Sequence, residues 1–229
     1  FIQRKLFSRW FLRLLVYGRR FVFDFDDAIF VNSDGTASPS RMHRFGSTVS
    51  RASLVFGGNE YLASACEGPP AVVLPTSVDV SRYPGQAGIT SKAGETTLVW
   101  VGSRSTGKYL KGLDAVFDAL TTERLTFRVI ADFRYSHPSL RVENIPWSGE
   151  TEVSALTSGH IGLAPLTDDP WTRGKCALKI LQYMAAGLPV VASAVGANRD
   201  VVVHGETGYL VKSVAEWVSA IRELGSQER

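Results

Sequence analysis

Cysteine is scarce. Cys66 and Cys176 are the only two in 229 residues and lie far apart, so they suggest neither a disulfide framework nor a cysteine metal site. A reducing compartment is expected. No apolar run approaches the roughly 20 residues that a membrane-spanning helix requires. The chain opens on Phe1 without a methionine, the form expected of a fragment or processed chain, and no targeting signal can be read from it. Internal repeats and low-complexity segments are absent. The net charge is a modest +3 with no continuous basic stripe, which argues against nucleic acid as a partner.

Acidic residues are missing altogether from residues 1–23, FIQRKLFSRWFLRLLVYGRRFVF, which carry six basic ones. Lys5, Arg9 and Arg13 recur at helical spacing, with Leu6, Phe7, Trp10, Phe11 and Leu14 opposite. That pattern predicts a basic amphipathic helix. It either packs its apolar side on its own domain or lies on anionic lipid, so residues 1–20 are a candidate peripheral membrane contact.

What is present is an alternation of strands and helices, the mark of an α/β fold with parallel sheets. Strands are expected at 21–25, 53–58 and 71–79, with a helix at 59–66 and a polar loop at VNSDGTASPS. Residues 81–97, rich in Gly, Ser, Thr and Pro, read as a linker. Two domains follow, 1–90 and 91–229. The second runs through strands TLVWVG, LTFRVIAD, VENIPW, HIGLAPL and LPVVAS, and ends in the amphipathic helix EWVSAIREL. A helix closed by Gly187 precedes LPVVAS.

In open α/β sheets ligands sit beyond the carboxyl ends of strands. Two such loops join glycine to positive charge: Arg104, Lys108 and Lys111 after the first strand of the second domain, and Arg173, Gly174 and Lys175 before a helix. Glycine allows close backbone approach and helix N-termini favour anions, so a diphosphate is the expected ligand. Lys175, Lys179 and Gln182 are spaced to form one polar stripe on the following helix, facing either that ligand or water. Asn198 lies on a loop where backbone amides could reach phosphate, or serves as a turn asparagine.

The remaining signal is FVFDFDDAIF, where Asp24, Asp26 and Asp27 crowd a strand end. Three readings stand: a metal-binding Asp-x-Asp, a phosphatase in which Asp24 attacks phosphorus and Asp26 is the acid, or carboxylates that line a cleft and orient a hydroxyl.

The segment RGKCALKILQYMAAGLPVVASAVGANRDVVVHGETGYLV resembles the nucleotide-binding core of family 4 glycosyltransferases, as do VWVGSRSTGKYLKGL, WSGETEVSAL and HIGLAPLTDD. FDFDDAIF, VFGGNEYLASAC and LPTSVDVSRYP are similar to the later half of that family's first lobe. The resemblance implies the GT-B fold: two Rossmann-like lobes with parallel sheets facing a cleft, the first lobe partial and its earlier portion missing. It implies a retaining transferase that takes its sugar from a nucleoside diphosphate sugar donor, with no metal cofactor expected. Arg104 and Lys111 take the places of the family's diphosphate-binding basic pair. The family's two glutamates are replaced by Gly174 and Gln182, the latter still able to bond ribose hydroxyls. Asp26 and Asp27 stand where many members carry His-Asp, as candidate catalytic carboxylates toward a sugar or lipid-linked acceptor. Surface-polysaccharide or glycolipid synthesis in the cytoplasm, at the inner face of the membrane, is the expected setting. A non-catalytic nucleotide-sugar-binding remnant and a haloacid-dehalogenase-like phosphatase are the alternatives.

Overall fold

The computed structural model describes residues 1–83 and 95–226. The chain divides into two units, each with its own sheet. The first comprises Phe1–Ser77 with two later excursions, Asp168–Ala177 and Val195–Ala197; the second takes Val78–Thr167, Leu178–Ala194 and the chain from Asn198. This departs from an uninterrupted second domain over 91–229. The expected boundary at 90/91, and residues 84–94 of the expected linker, lie outside the described residues.

In the first unit β1 (Ile2–Gln3), β2 (Val22–Phe25), β3 (Leu54–Gly57) and β4 (Ala71–Val73) pair in that order, all parallel. They alternate with α1 (Arg9–Leu15), α2 (Pro39–Val49) and α3 (Glu60–Ser64). Alternation along β2 puts Phe23 and Phe25 on one face, their rings 5.2 Å apart, and Phe45 of α2 packs edge-on against Phe25 at 5.2 Å. Asp24 falls between them and accepts a hydrogen bond from Gln3 at 3.0 Å. The expected strand at 71–79 is only three residues long. The expected basic helix is also shorter, because Lys5, Leu6 and Phe7 precede it. Only Leu12 of α1 is buried, while Trp10, Leu14 and Tyr17 are largely exposed. Packing of the whole apolar side within its own domain is therefore not what the fold does.

The second unit begins with β5 (Thr96–Val101), a 3-10 segment over Gly107–Leu113, α4 (Asp114–Ala119), β6 (Leu125–Ala131), β7 (Arg141–Pro146), α5 (Thr151–Thr157) and β8 (Ile161–Ala164). After α6 (Pro170–Arg173), which belongs to the first unit, come α7 (Leu178–Ala185), β9 (Val190–Ser193), α8 (Asn198–Val201), β10 (Gly208–Val211) and α9 (Val214–Ser226). The sheet order is β10-β9-β8-β5-β6-β7 and every pairing is parallel. Gly205 N donates to the Gly208 carbonyl at 2.9 Å, closing the turn that leads into β10.

Burial explains the register. The interior strands β5 and β8 are nearly continuous apolar runs, as sheets covered on both faces require. On α9, Trp217, Val218, Ile221 and Leu224 face inward at helical spacing while Glu216, Arg222 and Glu223 face out. Tyr183 pins α7 to the sheet: fully buried, its hydroxyl accepts from Val101 N and donates to Leu163 O, each at 3.1 Å. Gly162 makes room for that ring, because a Cβ there would sit 2.4 Å from it. Gly187, at φ +74°, ends α7 as expected.

Candidate active site

Counted within the second unit alone, the strand order reads 6-5-4-1-2-3. This is the doubly wound nucleotide-binding order, whose topological switch point lies between its first and fourth strands, here β5 and β8. Loops leaving the carboxyl ends of two such strands diverge in opposite directions and leave a crevice. The loop after β5, Gly102 to Thr106, is folded onto itself. Ser103 N donates to Thr106 Oγ1 at 3.1 Å, and Arg104 N donates to the Asp132 carboxylate, beyond β6, at 2.7 Å. These bonds fix the loop backbone while the Arg104 and Lys111 side chains stay exposed. Lys179 of α7 reaches the same strand end, its Nζ 3.4 Å from Thr106 Oγ1 and 4.1 Å from the centre of the Trp100 ring. After β8, Leu166 N donates to Ser193 Oγ at 2.9 Å, and the Ser193 carbonyl accepts from Asn198 Nδ2 at 2.9 Å. Asn198 is buried, so its side chain braces the end of β9.

Gln182 lies one turn beyond Lys179 and donates from Nε2 to Glu152 Oε1 at 2.8 Å. Glu152 is buried, and its other oxygen accepts the Trp147 indole N–H. Tyr83 closes the group. Burial pushes its phenol up, the Glu152 carboxylate adds to that, and the Gln182 amide opposes it by hydrogen bonding. Sequence reasoning missed Glu152 and Tyr83, which lie 30 and 99 residues from Gln182 (182 − 152 and 182 − 83).

The expected stripe of Lys175, Lys179 and Gln182 is not formed. Ala177 takes a left-handed φ of +55°, α7 starts at Leu178, and Lys175 belongs to the first unit. Leu178, the first residue of α7, is exposed. Lys175 Nζ instead pairs with Asp27 Oδ1 at 2.7 Å and lies 4.8 Å from the Trp171 ring centre. Gly174 likewise serves packing: a Cβ there would meet Ala28 N at 2.6 Å.

The three aspartates separate by environment. Asp27 is buried and held by two cations, Lys175 and the Arg4 guanidinium. Asp26 keeps 47% of its side chain exposed, with Arg4 Nε 3.0 Å from Oδ1. Burial pushes the Asp24 carboxyl up, with the Gln3 hydrogen bond opposing. Asp168 pairs with Arg173 at 2.7 Å, and Asp169 caps α6 by accepting from Thr172 N at 2.9 Å. Asn59, another residue missed from sequence, caps α3 through Oδ1 and donates from Nδ2 to the carbonyls of Arg173 and Lys175 at 3.2 and 3.1 Å. Among the described residues no cluster of three or more His, Cys, Asp or Glu could hold a metal ion. A cavity of about 460 Å³ beside His204, Tyr209 and Glu216 contains none of the expected site residues.

The family model for glycosyl transferases group 1 matches residues 95–227. The chain belongs to that family. No curated protein matches the sequence, but solved structures share the fold of this group 1 chain. Anabaena HepE, crystallised in complex with UDP and glucose, is 16% identical with a TM-score of 0.69 over 94% of the chain and 66% of HepE. The UDP-forming α,α-trehalose-phosphate synthase of Burkholderia xenovorans, in complex with glucose-6-phosphate, is 15% identical with a TM-score of 0.65 over 96% and 64%. These likenesses establish the GT-B fold. The group 1 chain spans slightly less than two thirds of the length of these structures. Among its described residues, no helix is long and apolar enough to cross a membrane.

Proposed function

We propose that this chain is the donor-binding part of a retaining glycosyltransferase, which moves a hexose-type sugar from a nucleoside diphosphate to an acceptor hydroxyl. The observation that carries this is the switch point of the second unit. There a folded Gly-Ser-Arg-Ser-Thr loop, with Lys111 following and Lys179 beside it, stands at the end of β5 in a group 1 glycosyl transferase. Fixed positive groups at that crevice suit a departing diphosphate, whose charge grows as the bond to the anomeric carbon breaks. Arg104, Lys111 and Lys179 take that role without a divalent metal. HepE was crystallised with UDP and glucose, which makes UDP the first nucleotide to try.

Asp26 is the carboxylate we assign to the acceptor, because about half of its side chain stays exposed beside its Arg4 partner, whereas Asp27 is buried between two cations. Residues 1–20 supply a peripheral contact with an anionic membrane surface: Trp10, Leu14 and Tyr17 stand exposed among basic side chains with no acidic residue nearby in sequence. The setting we infer is surface polysaccharide or glycolipid assembly at the cytoplasmic face.

Calorimetric titration with UDP, GDP, dTDP and ADP, in EDTA and then magnesium, tests the reading. Binding of one nucleotide in EDTA supports it; binding of none overturns it. Arg104→Ala and Lys111→Ala should each weaken that binding by about 1–3 kcal/mol, the size of a lost charged hydrogen bond, with an unchanged melting temperature. Donor hydrolysis by the same protein separates an enzyme from a module that only binds.

A further inference from the structure

We propose that Glu152 is a positioning residue that holds Gln182 as a hydrogen-bond acceptor for a sugar hydroxyl of the bound nucleotide. The proposal rests on the nucleotide reading above and deepens it. An ionised carboxylate has no hydrogen to give, so the side of the Gln182 amide that meets Glu152 must be its NH₂. The 2.8 Å contact from Nε2 shows that arrangement. Glu152 cannot easily turn away, because it is buried at the start of α5 and its second oxygen holds the Trp147 indole. Behind this stands the turn Val80–Arg82, tied down by Arg82 donating to the Gly149 carbonyl at 3.2 Å, which seats Tyr83 in the same group.

An amide held by its nitrogen presents its oxygen elsewhere. The Gln182 side chain is only half-buried, and among the described residues its one protein contact besides Glu152 is the hydrogen bond with the Tyr83 phenol, which favours the phenolate and so draws on the amide N–H, leaving the side-chain oxygen to a ligand. Gln182 is three residues from Lys179 and shares its side of α7; Lys179 reaches Thr106 at the end of β5. A ligand whose phosphates lie by that loop therefore meets, one turn along, a neutral acceptor of fixed polarity. A sugar hydroxyl can donate to it. Glu152 thus does for a glutamine what charge would otherwise do: it makes the group accept only.

The test compares each ribonucleoside diphosphate with its 2′-deoxy and 3′-deoxy counterparts by calorimetry, on the unaltered chain, Gln182→Ala and Glu152→Gln. The unaltered chain should prefer the parent over one deoxy form by about fivefold or more, the ratio expected for one lost hydrogen bond. Both variants should bring that ratio close to one while affinity for the deoxy form stays level. A variant merely loosened in structure would weaken both ligands equally and keep the ratio. If Gln182→Ala loses the preference but Glu152→Gln keeps it, or if no preference exists, the proposal is overturned. If no nucleotide binds the unaltered chain, the nucleotide reading fails first and takes this proposal with it.

Should Glu152→Gln not fold, Gln182→Glu asks the same question. It sets a second carboxylate against Glu152, so binding should weaken as pH rises and both groups are forced to ionise. Affinity independent of pH would overturn the proposal.

Discussion

Asp27 and Glu152 are both buried carboxylates, one in each unit, and the chain satisfies them in opposite ways. Asp27 meets two full positive charges, Arg4 and Lys175. Glu152 meets two neutral N–H donors, from Trp147 and Gln182. The first arrangement cancels charge and ties together three stretches of chain: the end of β1, the end of β2 and the excursion before α7. The second spends both carboxylate oxygens on N–H donors and so orients a neighbour. Burial alone therefore does not mark a functional carboxylate; what surrounds it does.

The largest effect should come from Asp27→Asn. Removing one partner from a buried pair costs about 3–5 kcal/mol. The lower end applies because half of the Arg4 side chain is exposed and its pairing is screened. Urea unfolding should show a lower midpoint at unchanged slope. Adding Lys175→Met should recover part of that loss. If the two losses simply add, the ion pair is not what holds the excursion.

Next in size is Glu152→Gln, expected to cost only about 1 kcal/mol, since an amide oxygen can still accept the indole hydrogen. A loss as large as that of Asp27→Asn would erase the distinction between the two sites.

The smallest effect is alkaline. Burial pushes the Cys176 thiol up to about 12, helped by the Asp26 and Asp27 charges, and burial takes Cys66 up to about 11, against the ordinary 9.0. A raised folded-state value means the native state keeps its proton longer, so this contribution is whole below about pH 9 and declines as pH rises toward 11 and 12. Replacing both cysteines by alanine should flatten the fall in melting temperature across that range. An unchanged slope would assign the fall to other groups.

The strands were the most legible part of the sequence. TLVWV, LTFRVIA and PVVA are apolar runs because a parallel sheet covered on both faces demands them, and Gly187 marked the end of its helix. By contrast α2 carries few apolar residues, Phe45 and Val49 among them, so PSRMHRFGSTV reads as polar chain although Pro39 at its first turn is a start signal. The lysine stripe failed for a different reason. Alanine is the best of helix formers, and nothing local announces that Ala177 sits at φ +55° and holds Lys175 outside the helix. Arg104 and Lys111 could be found from glycine and charge after a strand. Glu152 could not, because its meaning depends on a glutamine 30 residues away (182 − 152).

The excursion Asp168–Ala177 carries one more consequence. Its capping and pairing partners are Asp27, Asn59 and Ala28, all encoded before residue 60, while the stretches on either side of it belong to the second unit. The gene therefore cannot be split at the middle into two independently expressed halves. A product starting near residue 91 would emerge with ten residues bearing Trp171, Lys175 and Cys176 and nothing to receive them, and solubility should return when residues 1–77 are supplied as a separate chain.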